Sequence, residues 1–349
     1  MKLPMLFIML VLIGCADEKK ESSPVFDFTT FTSKKTLSGS IVELDGLTMP
    51  SRICIVADKL LLVDTTQVAI ASVYDLKTGS LRGRFLHKGE KPSEAYVIDH
   101  ITVDAKEHNI TLQDGKLNKL LVYDFAALDN PQDVLPRKVI PLCKGVTQNI
   151  SLNDSMMICL AKCSGAANKI ILTDTLGNCY VSFAPYPIPS VDNIPIEYDG
   201  YRILKPHIVI NNDKDRVAVF YETFSQIEIY SMDGSLLSEK IGPSPVFAKC
   251  SIESNGKKLW SEPIENLAML AYFHAKSRGD NIWVMYNGGL KNKYPKCKYI
   301  LIFDWEGLPE TCYRIEEGLI DFDVDFSGNI LYTLNREPNG KYSVRKYTI

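Results

Sequence analysis

Asp58-Lys59-Leu60-Leu61-Leu62-Val63 reads as a polar turn running directly into an apolar strand. The chain repeats this unit five more times. The copies are Glu107-His108-Asn109-Ile110-Thr111-Leu112, Asn153-Asp154-Ser155-Met156-Met157-Ile158, Lys214-Asp215-Arg216-Val217-Ala218-Val219, Gly279-Asp280-Asn281-Ile282-Trp283-Val284 and Ser327-Gly328-Asn329-Ile330-Leu331-Tyr332. A second unit follows each copy: a strand ending on an aromatic or apolar residue, then a turn built on aspartate. It stands at Tyr74-Asp75-Leu76-Lys77-Thr78-Gly79, Tyr123-Asp124-Phe125, Leu172-Thr173-Asp174-Thr175-Leu176-Gly177, Tyr230-Ser231-Met232-Asp233-Gly234 and Phe303-Asp304-Trp305-Glu306-Gly307. Aspartate and glycine suit such turns, because aspartate bonds the backbone two residues on and glycine accepts left-handed angles. The sixth copy, Val344-Arg345-Lys346-Tyr347-Thr348-Ile349, ends the chain without its turn.

Tyr74, Tyr123, Leu172, Tyr230, Phe303 and Tyr347 recur roughly every fifty residues, the period of a four-stranded propeller blade with insertions. Six units predict an all-β, six-bladed β-propeller. The last unit lacks a fourth strand, and Leu37-Ser38-Gly39-Ser40-Ile41-Val42-Glu43-Leu44 is placed to supply it. That pairing would remove two open sheet edges. Two β-sandwiches are the competing arrangement, but no linker-like shift in composition divides residues 40–349. Ser261-Glu262-Pro263-Ile264-Glu265 has the form of a capped helix start leading into Asn266-Leu267-Ala268-Met269-Leu270; the alternative is the entry strand of the fifth blade.

The 349 residues are 46% hydrophobic and 23% charged, with a formal net charge of −3. This is globular composition with material for a core, and it gives no electrostatic footprint for nucleic acid. Length alone would suggest two or three domains of about 100–150 residues. The repeats replace that count with one ring.

The N-terminus reads as a processing signal. Met1-Lys2 is followed by an apolar run, Leu3 to Ile13, broken only by Pro4. As a helix that run rises only about 16 Å, too short for a bilayer core of about 30 Å. It ends in Leu12-Ile13-Gly14-Cys15, which resembles a bacterial lipobox, with cleavage before Cys15 and a lipid on its thiol. Ala16-Asp17-Glu18-Lys19-Lys20-Glu21 then resembles the acidic surface-export signal of Bacteroidetes lipoproteins. The expected organisation is a signal at residues 1–14, a lipidated tether at 15–35 and the propeller at 36–349. The expected location is the outer membrane, facing the periplasm or the cell exterior, with the membrane engaged only through the lipid.

Several segments resemble the TolB-like six-bladed β-propeller lipoproteins of Bacteroidetes. Pro50-Ser51-Arg52-Ile53 opens the first blade as in that group. His87-Lys88-Gly89-Glu90-Lys91-Pro92-Ser93-Glu94 is similar to its Gly-x-Gly-Pro-x-Glu loop, with Lys91 in place of the second glycine. Trp283-Val284-Met285-Tyr286-Asn287-Gly288-Gly289 and Ile302-Phe303-Asp304-Trp305-Glu306-Gly307 resemble its fifth blade. The resemblance implies a fold and a location. It carries over no functional residue except Cys15.

The sequence shows no catalytic motif. His87, His100, His108, His207 and His274 stand in no metal-ligand spacing, and no cofactor is implied. Besides Cys15 there are eight cysteines: Cys54, Cys143, Cys159, Cys163, Cys179, Cys250, Cys297 and Cys312. Most are expected to be buried thiols, with Cys297 and Cys312 a possible pair across a hairpin. In a propeller the blade-entry loops share one face with the loops joining second and third strands. On that face the entry side offers Arg52, His100 and His207 as ligand candidates. The other loops offer Tyr221, Lys291, Tyr294 and Arg336. The reading is a non-catalytic binding propeller for a protein partner or an oligosaccharide. The alternative is a propeller hydrolase or lyase with a site in the central channel.

Overall fold

The computed structural model describes residues 25–349 apart from 133, 144, 163–167, 187–189, 192–193, 196–199, 212, 245, 247–249, 255–258, 265–268 and 291–296. Each predicted repeat is an antiparallel meander of four strands. Blade 1 is Arg52–Val56, Lys59–Val63, Ala69–Asp75 and Leu81–His87. Blade 2 runs Ile98–Asp104, Asn109–Asp114, Lys119–Asp124 and Lys138–Pro141, and blade 3 runs Val146–Ser151, Met156–Ala161, Asn168–Asp174 and Cys179–Pro185. Blade 4 is Pro206–Ile210, Arg216–Tyr221, Gln226–Ser231 and Leu236–Ile241. Blade 5 begins with Met269–Arg278, Asn281–Leu290 and Cys297–Phe303. Its outer strand is the first part of the long strand Pro309–Asp325, whose later residues form the inner strand of blade 6. Ile330–Arg336 and Tyr342–Thr348 continue blade 6. Ser40–Val42 pairs antiparallel with Tyr342–Thr348, Ser40 opposite Lys346, as the fourth strand. The molecule is a six-bladed β-propeller.

The turns show why the sequence repeats. A residue one or two positions before the second strand takes a left-handed φ in five blades: 53° at Ala57, 50° at His108, 57° at Lys214, 59° at Gly279 and 50° at Asn329. In blade 3 Asn153 instead accepts bonds from the Ser155 and Met156 amides, 2.9 Å each. At the third hairpin Asp75, Asp174 and Asp304 each accept backbone amides two to four residues on. Asp233 accepts the Ser235 amide in the same way. Just before these turns the register slips at Val73/Tyr74, Leu172/Thr173, Ile229/Tyr230 and Ile302/Phe303. The slip makes Thr173, not Leu172, the blade 3 counterpart of Tyr74 and Phe303. Blade 2 replaces the tight turn with a 3-10 helix, Phe125–Asp129.

Apolar residues alternate along the strands and form six separate wedges, one between each blade and the next, blade 6 and blade 1 included. Burial of these faces is the main favourable term. Phe26 and Phe31 enter the wedge between blades 4 and 5, and Ser33–Leu37 pairs in parallel with Thr311–Ile315 on the outer edge of blade 5. The packed body therefore starts before residue 36, because two phenylalanines in the expected tether have apolar sites to fill. Residues 1–24 lie outside the described residues.

The segment 261–265 does not open a helix where it is described. Leu259–Pro263 is a strand paired with Cys250–Ser254, a hairpin inserted between blades 4 and 5. Cys297 and Cys312 do not face each other: Cys312 is opposite Leu301, Cys297 is opposite Leu319, and both are free buried thiols. Cys54 and Cys159 are buried thiols as well. Cys163 lies outside the described residues.

Candidate ligand site at the channel mouth

Side chains of one blade bind the backbone of the next blade's inner strand before that strand can display anything. Gln113 of blade 2 donates to Thr147 O (2.7 Å) and accepts from Asn149 N (2.9 Å) of blade 3. Gln148 of blade 3 does the same to Ile208 of blade 4, at 2.7 and 2.9 Å. At the other side of the ring the stitches are charged. Asp321 and Asp323 of blade 6 accept the amides of Ile53 (3.0 Å) and Ile55 (2.7 Å) of blade 1. Arg278 of blade 5 holds Asp323 through two bonds of 2.6 and 2.8 Å, and Lys276 lies 3.2 Å from Asp321. Burial pushes Asp323 upward, yet the charges of Arg278 and Lys276 outweigh it and hold the carboxyl at about 2.

On this frame the entry ends of the inner strands gather Arg52, His100, His207 and His274. Arg52 donates from Nε to Asp99 O (3.0 Å) and from Nη1 to Ser51 O (2.8 Å), which fixes the guanidinium between blades 1 and 2. The His100 and His207 rings meet edge to face, 6.4 Å between centroids. His207 Nε2 lies 3.1 Å from Glu222 Oε1, just past the second strand of the same blade. Lys205 Nζ lies 4.0 Å from the other Glu222 oxygen. His274 sits in a bulge: Phe273 opposes Met285 and Lys276 opposes Trp283, so His274 and Ala275 share the place opposite Val284. Its φ of 46° is left-handed, a strained angle for a side chain of this size. Bulges of this kind re-aim side chains near functional sites.

The surroundings of His100 and His274 favour their neutral forms. Burial, then the charges of His207 and Arg52, hold His100 well below the usual histidine range. Burial, then Arg52, His207 and Lys276, do the same to His274, with Glu222 opposing weakly. Burial works against the Glu222 carboxylate, but the His207 bond and the charges of His207 and Lys205 bring it below its ordinary value. Beside the cluster is a cavity of about 260 Å³ walled by Lys162, Tyr201, Arg202, Lys205, His207 and Glu222. A larger one, about 390 Å³, opens toward the inner strands' other ends, where Asp104, Lys214 and Arg278 line it. Among the described residues no three His, Cys, Asp or Glu side chains are arranged to hold a metal ion.

Of the residues expected to face a ligand, Arg52, His100 and His207 come together. Tyr221 does not join them. It is buried between blades 3 and 4, where its hydroxyl accepts a 2.7 Å bond from Lys169, itself paired at 2.8 Å with Glu228. Arg336 is exposed at the end of its strand, with its guanidinium 6.0 Å from the Tyr342 ring. Lys291 and Tyr294 lie outside the described residues. His274 and Glu222 were not marked by the sequence. One reaches the site through a bulge, the other by standing one residue past a strand end beside His207. The Gly-x-Gly-Pro-x-Glu-like loop is architectural: the Glu94 carboxylate accepts the Lys91 amide (3.1 Å) and fills the space a Cβ on Gly89 would need.

Six blades of four strands define a six-bladed β-propeller, and the polar side chains of Arg52, His100, His207 and His274 converge at the entry end of its inner strands. The chain belongs to the TolB-like 6-blade propeller-like family, whose model matches residues 27–327. No curated protein matches the sequence. Among solved structures, the chain is similar to a candidate exported protein of Bacteroides fragilis NCTC 9343, with 13% identity, 93% of this chain and 98% of that chain covered, and a TM-score of 0.52. A DUF4221 family member from Bacteroides vulgatus matches at 10% identity, 89% and 98% coverage and a TM-score of 0.54. The WD40 repeats of RRP9 match at 6% identity, 90% and 99% coverage and 0.52. Identities this low speak for the fold alone.

Proposed function

We propose that this protein is an exported, lipid-anchored binding propeller whose channel mouth takes an acidic oligosaccharide. The observation that carries the ligand class is the convergence of Arg52, three imidazoles and Lys205 beside an aromatic wall, Tyr201. A uronic-acid-type ligand needs a fixed cation for its carboxylate, hydrogen-bonding groups for its hydroxyls and a ring face for its apolar side. The lipobox-like segment ending in Cys15 supports anchoring, and the description of the Bacteroides fragilis neighbour supports export. A glycan array probed with the full chain, followed by calorimetry on each hit, tests the ligand. Acidic glycans are expected to bind and neutral counterparts to fail; the reverse pattern refutes the reading. A labelled lipid precursor should mark the wild type and spare Cys15→Ala, and equal labelling of both refutes the anchor.

One observation favours a second reading. The His207–Glu222 pair has the form of a base oriented by a carboxylate, with neutral His100 beside it, which suits proton transfer in glycan cleavage. Shorter products appearing from a bound glycan, and disappearing in His207→Ala, would favour an enzyme over a binder.

A further inference from the structure

The path of the N-terminal chain and the chemistry of one rim together indicate how the propeller sits. Val25 bridges in parallel to Ile241, and Phe26 N donates to Ile241 O at 2.9 Å, so the chain leaves the described body at the outer strand of blade 4. Only ten residue steps separate Val25 from Cys15, a reach of about 35 Å at full extension. A body of this length is roughly 50 Å across by the size scaling of folded chains. A bilayer holding Cys15 is therefore within reach of blade 4 and its neighbours, and the opposite rim is not.

That same rim is apolar. Leu236 and Leu237 on the outer strand of blade 4 are exposed, as are Leu176, Tyr180 and Val181 on the last hairpin and outer strand of blade 3. The outer strand of blade 3 meets the last hairpin of blade 4, since Phe183 packs on Tyr230, 5.9 Å between rings, and against Gly234. With Val25 these are six of the thirteen exposed large apolar residues among those described, and the other seven are scattered. The outer edge of blade 5 is covered by Ser33–Leu37, that of blade 6 is the three-residue strand Ser40–Val42, and that of blade 1 carries Arg82 and Arg84. A contiguous exposed apolar patch marks a contact surface.

We propose that the rim of blades 3 and 4 rests on the bilayer that holds the Cys15 lipid, with Leu176, Tyr180, Val181, Leu236 and Leu237 in the interfacial layer. Leucines together with a tyrosine bearing a polar hydroxyl suit that layer. The propeller then stands on edge, and both ends of its channel open to solvent. This inference rests on the lipid-anchor reading, and its test separates the two. The full-length protein is isolated from membranes and incorporated into vesicles of phosphatidylethanolamine and phosphatidylglycerol containing a diazirine-bearing phospholipid. After photolysis, mass spectrometry locates the cross-links and, in the same digest, reads the mass of the Cys15 peptide. Cross-links within residues 174–182 and 233–241 are expected, and Tyr180→Glu with Leu237→Glu should remove most of them while leaving the Cys15 lipid and the thermal midpoint unchanged. A lipidated Cys15 with cross-links on other blades, or only ahead of Val25, overturns the rim contact alone. Protein-to-protein cross-links joining this rim in two copies overturn it in favour of a dimer. A Cys15 peptide without lipid overturns both the anchor and the rim.

Discussion

Blades 2 to 4 and blades 5, 6 and 1 solve the same problem with different chemistry. In each region a side chain from one blade must bind the backbone of the next inner strand, next to the channel. Gln113 and Gln148 do this as neutral amides, each satisfying one donor and one acceptor. Asp321 and Asp323 do it as carboxylates that only accept, and they carry charge into sites that are almost fully buried. Lys276 and Arg278 follow from that choice, because a buried carboxylate without a counter-charge is costly. An amide stitch is thus complete in two blades, whereas a carboxylate stitch engages three. The charged region should be the more fragile of the two to single changes and to acid.

The largest effect is expected from Asp323→Ala, which leaves Arg278 buried without its partner and the Ile55 amide unbonded. Urea unfolding should show a loss of about 3–5 kcal/mol. Gln148→Leu leaves the Ile208 amide and carbonyl unpaired but no charge, and should cost about 1–3 kcal/mol. Equal costs for the two variants would break the distinction between the regions.

Acid sharpens the comparison further. Asp323 has a folded value near 2 against an ordinary 3.8, so its contribution is present above about 4 and is lost as pH falls through 2. His100 and His274 are held below the ordinary 6.5, so the unfolded chain binds protons first, and stability should decline as pH drops below about 6.5. Urea midpoints measured from pH 8 to pH 2 should therefore fall in two stages. In Gln148→Leu both stages should persist, whereas Asp323→Ala should lose most of the lower one. The smallest effect is at the bulge. His274→Gly relieves a left-handed angle worth about 1 kcal/mol, so stability should rise slightly while ligand affinity falls. A variant that binds as well as the wild type would remove His274 from the site.

Much of the fold was legible because its determinants are local. The aspartate turns after Tyr74, Tyr230 and Phe303 and the polar turns before each second strand act within five residues, so they survive as repeats. What escaped depends on partners distant in sequence. The interior position of Tyr221 is set by Lys169, some fifty residues earlier. The separation of Cys297 from Cys312 follows from a register that only the long strand Pro309–Asp325 fixes. The site was legible in part: Arg52, His100 and His207 follow from counting strand starts, but a bulge at His274 breaks the count. Phe26 and Phe31 read as tether because their sites lie between blades 4 and 5, which the first forty residues do not reveal.

The most direct test of the channel-mouth site is calorimetry on the full chain with an acidic oligosaccharide from the array, comparing wild type with Arg52→Ala. Loss of one charge-assisted contact should weaken binding by about tenfold or more, with the neutral analogue binding neither protein. Equal affinity of both proteins for the acidic glycan would contradict the site.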